Sequence, residues 1–140
     1  MAKSNKERKT RKYPCRLLRV VDGDTYDVAI DAGFGITFSD RARHAWVDAW
    51  EMHGAEKELG RITKTAVELW WLDNSDGSDW PFDAYVTQTK KGSDARGKYG
   101  RWLVDFAPRG TSDLIGDWLV AEGHSYYEGW DLNPKAAQSS

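Results

Sequence analysis

Residues 16–30 read Arg-Leu-Leu-Arg-Val-Val-Asp-Gly-Asp-Thr-Tyr-Asp-Val-Ala-Ile, and this stretch decides the fold. Arg16 to Val21 is a short apolar run of strand length, and Asp22-Gly23 is a turn signal. From Thr25 to Ile30 the chain alternates, with Tyr26, Val28 and Ile30 on one face and Thr25, Asp27 and Ala29 on the other. A strand, a tight turn and a half-buried alternating strand make an antiparallel hairpin. Gly33 and Gly35 punctuate the next connection, and Ile36 to Val47 reads as a third, less regular strand. Upstream, residues 1–12 are polar, charged and aperiodic and read as a disordered basic arm.

Downstream the period changes. Leu59, Ile62, Ala66, Leu69 and Trp70 recur at steps of three and four, the apolar stripe of a helix. Glu56 and Glu58 sit in its first turn, where the helix dipole favours acids. Gly60 weakens it by about 1 kcal/mol relative to Ala. Asp73 to Asp79 is a polar loop that ends it. Phe82, Ala84 and Val86 mark a fourth strand, Lys90 to Lys98 a basic loop, and Arg101 to Phe106 a fifth strand with Trp102, Val104 and Phe106 on one face. A second helix follows, with Thr111 or Ser112 as N-cap, Leu114, Ile115, Trp118 and Leu119 as its stripe, and Gly123 as its C′ residue. Residues 132–140 read as a frayed tail. Three strands, a helix, two strands and a helix define an α+β class. Five strands with a helix after the third fit a five-stranded Greek-key barrel of the OB type with two packed helices.

The chain has 140 residues, room for one compact domain, and 13% of them are aromatic, too many for a disordered chain. No apolar run reaches the ~18 residues of a membrane-spanning helix. The N-terminus has charge without an apolar core, which reads as cytoplasmic rather than secreted. The single cysteine, Cys15, excludes an intramolecular disulfide and reads as a half-buried strand residue. Net charge is −2, but residues 1–19 carry eight basic side chains against one acidic, a net of +7, leaving −9 on the rest. A basic arm on an acidic body suits local contact with a polyanion, or a tail that keeps the protein in solution.

Three short segments carry the chemistry. Val21-Asp22-Gly23-Asp24-Thr25 holds an Asp-Gly-Asp that, taken alone, is a common turn. Arg43-His44-Ala45-Trp46-Val47-Asp48-Ala49-Trp50-Glu51 gathers one Arg and two acids at the end of an apolar strand, which alone is a rim salt-bridge cluster. Gly97-Lys98-Tyr99-Gly100-Arg101 alone is a basic turn entering a strand.

In this order and spacing they resemble the staphylococcal nuclease (thermonuclease-like) family. The resemblance spans Leu18 to Tyr127, with Arg43 five residues before Asp48 and Glu51 three after it. The Pro that the family places before the Glu is Trp50 here, and little sequence remains for the family's third helix. The resemblance implies a nuclease-like domain over residues 13–131. It makes Asp24, Asp48 and the Ala49 backbone carbonyl ligands of Ca²⁺, with Mg²⁺ as the alternative; oxygen-only ligation suits both. It makes Glu51 the residue that orients or deprotonates water, and Arg43 and Arg101 the forks on phosphate. Lys98, Tyr99, Tyr126 and Tyr127 become substrate contacts. Three carboxylates, two arginines and one divalent cation leave the site at +1, so a bound phosphodiester brings it to neutrality and further transition-state charge is favoured.

The expected function is therefore hydrolysis of DNA, and of RNA as a second substrate, by a monomer with no membrane contact. The alternative is an inactive module of the same fold that binds nucleic acid or protein; such modules usually lack one or more of the five charged residues, all present here. His44 and His53 flank the constellation but read as strand-face and loop residues. One geometric demand follows from the spacing: five is an odd interval, so a flat strand puts Arg43 and Asp48 on opposite faces. The strand must bend around Ala45 to Val47 or turn at Asp48-Ala49 for both to reach one phosphate.

Overall fold

The computed structural model describes residues 10–45, 47–50, 52, 54–87 and 102–127, with the backbone alone described at 10, 47, 48 and 125–127. Strands β1 (Thr10–Asp22), β2 (Thr25–Asp31) and β3 (Thr37–His44) form an antiparallel meander. Then come β4 (Val47–Ala49), a 3-10 turn (Gly54–Glu56), helix α1 (Lys57–Asn74), β5 (Phe82–Thr87), β6 (Trp102–Pro108), helix α2 (Ile115–Ala121) and β7 (Ser125–Tyr127). Strands β1, β2, β3, β6 and β5 close into a barrel in that order; the β3–β6 seam is parallel and the other pairings are antiparallel. This is the OB-type α+β barrel with two helices expected from the element order.

Closure depends on β1. Its first half pairs with β5, Thr10 to Cys15 against Thr87 to Phe82, and its second half pairs with β2. Cys15 pairs with both, and register shifts between Leu17 and Arg19 and between Val20 and Asp22 lie in the half paired with β2, where a bulge bends and twists the strand. The strand therefore begins inside the stretch read as a disordered arm: Thr10, Arg11 and Lys12 sit in the ladder with β5, whose backbone groups hold them despite their charge. Residues 1–9 lie outside the described residues, as do residues 128–140, where the expectation about a third helix falls.

The core fills the barrel end that α1 covers. Trp71 meets Phe82, Phe106 and Tyr26 with ring centroids 4.6, 5.0 and 5.4 Å apart, at the tilted angles that aromatic quadrupoles prefer. Trp70 stacks on Phe82. Cys15 lies in this core with no exposure, so it is fully rather than half buried, and burial together with Asp83 holds its thiol protonated.

Helix α1 corrects the sequence reading in its start, its buried face and its end: it begins at Lys57, so Glu56 is its N-cap and only Glu58 lies in its first turn. Its buried residues are Gly60, Thr63, Val67, Trp70 and Trp71, whereas Leu59, Ile62 and Leu69 face solvent. Of the expected stripe only Trp70 is buried. Both faces repeat at steps of three and four, and volume decides between them: two indoles fill the barrel end, and small residues let the helix approach the β1–β2 hairpin. The helix also runs one residue past Asp73, to Asn74. At α2 neither Thr111 nor Ser112 is the N-cap; Leu114 is, without a side-chain cap. The Thr111 hydroxyl instead accepts from the Asp113 N–H and donates to the Pro108 carbonyl, ordering the preceding turn. Gly123 takes the left-handed C′ position as expected, at φ 76°.

Candidate active site

The β1–β2 hairpin pairs Asp22 with Thr25, leaving Gly23 and Asp24 as a two-residue loop. Gly23 is required for space. A Cβ there would lie 2.7 Å from both the Ala49 Cβ and the Thr63 Cγ2, neither of which is the far end of a flexible chain. The loop is thus pressed between β4 and α1. The buried Tyr26 hydroxyl donates to the Gly23 carbonyl (2.7 Å), tying it to the core. Asp24 is fixed through its backbone: its N–H donates to Asp22 Oδ1 (3.2 Å), and its carbonyl accepts from the His44 N–H (2.8 Å).

Three donors converge on the Asp24 carboxylate, whose residue is 8% exposed. The Thr25 hydroxyl donates to Oδ1 at 3.1 Å, the Ala49 N–H donates to Oδ2 at 3.0 Å, and an Arg43 guanidinium nitrogen stands 3.6 Å from Oδ2. Arg43 arrives because β3 places it directly opposite Thr25. Its other terminal nitrogen donates to the His44 carbonyl (3.2 Å), which orients the fork. Burial pushes the Asp24 carboxyl above the ordinary carboxylate range, helped by a hydrogen bond and repulsion from Asp22, while Arg43 and the Ala49 N–H oppose the shift. A carboxylate held in this way gains from a nearby cation, so the donor chemistry fits a hard divalent ion.

Between Arg43 and Asp48 the strand breaks, as the odd interval required. β3 ends at His44, the chain bends at Ala45, and β4 starts again at Val47. Two bonds anchor the bend: the Ala45 N–H donates to the Val104 carbonyl (3.1 Å), and His44 Nε2 lies 2.9 Å from Asp105 Oδ1, both side chains being buried. Asp105 Oδ1 also accepts from the Phe106 and Gly116 N–H groups. His44 is thus a core residue that joins β3, β6 and α2, in keeping with its strand-face reading. Freed from the barrel, β4 pairs with β7, aligning Asp48 with Tyr126, Val47 with Tyr127 and Ala49 with Ser125. The tyrosine pair thereby runs beside the strand that carries Asp48.

Trp50 donates from its indole nitrogen to the Gly123 carbonyl at 3.0 Å, fastening the end of β4 to the turn after α2. The Thr63 hydroxyl and His124 Nδ1 are 3.1 Å apart.

Asp24, Arg43 and the Ala49 backbone are therefore brought together. Glu51, Lys98, Tyr99 and Arg101 lie outside the described residues, as does His53. Among the described residues no three His, Cys, Asp or Glu side chains form a metal cluster. Asp22 belongs to the site although sequence reasoning treated it as a turn residue only. An Asp two residues before another in a tight turn, positioned to accept the second one's N–H, was the available signal. No protein-family model matches this chain, and no curated protein matches it.

Proposed function

We propose that this protein is a divalent-cation-dependent nuclease of the staphylococcal type, hydrolysing phosphodiesters of DNA and also of RNA. The observation that carries the proposal is the meeting of Asp24, from the Asp-Gly-Asp turn, with Arg43 and the Ala49 backbone, from the second of the three segments, at one loop. Asp24, Asp48 and the Ala49 carbonyl would hold Ca²⁺, or Mg²⁺ in its place. Bound there, the ion would polarise a phosphoryl oxygen and neutralise developing charge. Arg43 offers a planar fork for a phosphate oxygen once it turns from Asp24, and Arg101 offers a second. Glu51 orients and deprotonates the attacking water, which displaces the leaving oxygen in line. Lys98, Tyr99, Tyr126 and Tyr127 contact the flanking nucleotides. The resemblance implies 3′-phosphate ends.

Duplex DNA, single-stranded DNA and RNA incubated with the full chain in Ca²⁺, Mg²⁺ or chelator test this. Cleavage in Ca²⁺ that stops in chelator, and that falls with Asp24→Asn while the circular dichroism spectrum is kept, is the expected result. Full activity in chelator overturns the metal role. Binding without cleavage under every condition makes the chain an inactive module of this fold.

A further inference from the structure

Helix α1 carries two apolar faces, and the barrel uses one. On the other, Leu59, Ile62, Leu69 and Leu72 are 47%, 56%, 52% and 70% exposed. A helix that is apolar on both sides is normally buried on both, and large exposed apolar side chains gathered on one face mark an interaction surface. The order of residues along this face reads the same in both directions. About a point between Thr65 and Ala66, Leu59 is the counterpart of Leu72 and Ile62 of Leu69, and the two small residues lie at the centre. We propose that two copies of this chain associate by packing their α1 helices antiparallel across a two-fold axis between Thr65 and Ala66.

The charges agree with that axis. Arg61 and Glu68 lie one heptad apart on the same flank of the stripe, so antiparallel packing sets Arg61 of each copy beside Glu68 of the other, twice by symmetry. The ion pair that Arg61 makes within its own helix, 3.7 Å from Glu58, is exposed on both sides and yields easily to another partner. Small residues at the crossing let the two backbones approach, and the large ones interlock toward the helix ends. The helix is about 27 Å long, so the contact is at the low end of specific interfaces and the dimer is a reversible one. This face is opposite the one against the Gly23 loop, and the proposal is independent of the catalytic reading.

Sedimentation equilibrium of the full chain across a concentration series tests the proposal by mass alone. Mass should rise toward twice that of the monomer at high protein concentration. Ile62→Glu with Leu69→Glu, both at exposed positions, should abolish the rise with the melting curve retained. Arg61→Glu and Glu68→Arg should each weaken association about three- to tenfold, and the two together should restore it. Ala66→Cys should cross-link to its own copy on oxidation. Leu59→Cys should not, because antiparallel packing separates equivalent ends by roughly 20 Å, yet it should cross-link when mixed with Leu72→Cys. The native Cys15 is buried and does not compete. A monomeric mass at every concentration, a dimer unaffected by the paired Glu variants, or Leu59→Cys self-cross-linking as readily as Ala66→Cys would each overturn the proposal.

Discussion

Asp24 is paid for in stability. Its carboxyl is raised by burial and by Asp22, so the ionised form fits the folded site worse than it fits water. A group whose folded pKa is raised contributes stability that is fully present below its unfolded pKa and is lost as pH rises through the folded value. In chelator, Asp24→Asn should therefore raise the melting temperature at neutral pH, and the gain should vanish in acid below the ordinary carboxylate range. The same substitution should lower the proposed nuclease activity, the divergence expected of a residue kept for function. Melting curves of both proteins at the two pH values decide the matter; a variant destabilised at neutral pH would mean that the Arg43 attraction outweighs burial. At this scale part was legible: the resemblance singled out Asp24, Arg43 and Ala49, and the fold brings these three together. The coupling of Asp22 to Asp24 was not legible, because a turn Asp and a site Asp look identical until the side chain's acceptor role is known. The task of Trp50 was hidden for another reason: its partner Gly123 is far away in sequence.

The strands were legible as strands but not in their burial. Tyr26, Val28, Val104 and Phe106 are buried as expected, yet Thr25 and Ala29 of β2 and Asp105 and Ala107 of β6, on the opposite faces, are buried too. α1 misled because it offers two apolar faces, and periodicity does not state which one the barrel takes. Burial separates them energetically. Trp71→Ala removes a ring in contact with four others and should cost about 3–5 kcal/mol. Leu69→Ala touches no part of the core and should cost no more than about 0.5 kcal/mol in dilute protein. Urea unfolding of the two variants measures both; equal costs would mean that the outer face packs within the monomer. The break between β3 and β4 was required by the parity of Arg43 and Asp48, but its position was not, since the anchors at Val104 and Asp105 come from a strand sixty residues away.

Over the whole molecule the charge is unevenly spread, and the structure divides the basic end in two. Arg11 and Lys12 are fixed in β1, opposite Val86 and Tyr85. Residues 1–9 carry Lys3, Lys6, Arg8 and Lys9 against Glu7, a net of +3, ahead of an acidic body that repels DNA. If that segment tethers substrate, each phosphate it neutralises releases condensed counterions, and affinity falls with log[salt] by about 0.9 per duplex phosphate or about 0.7 on single strands. Four cations set the ceiling on its share of the slope. Deleting residues 2–9 spares every residue of the β1 ladder, so the barrel should stay intact, whereas a cut after Lys12 would strip half of the β1–β5 pairing. The truncated protein should bind substrate more weakly at low salt, show a flatter slope, and keep its kcat, because no residue of the Asp24 site is touched. The difference should shrink near ~0.15 M ionic strength, where the Debye length is about 8 Å. A passive tail predicts the same KM and slope at every salt concentration. KM of the full-length and truncated chains across a salt series separates the two, and superimposable curves would rule out the tether.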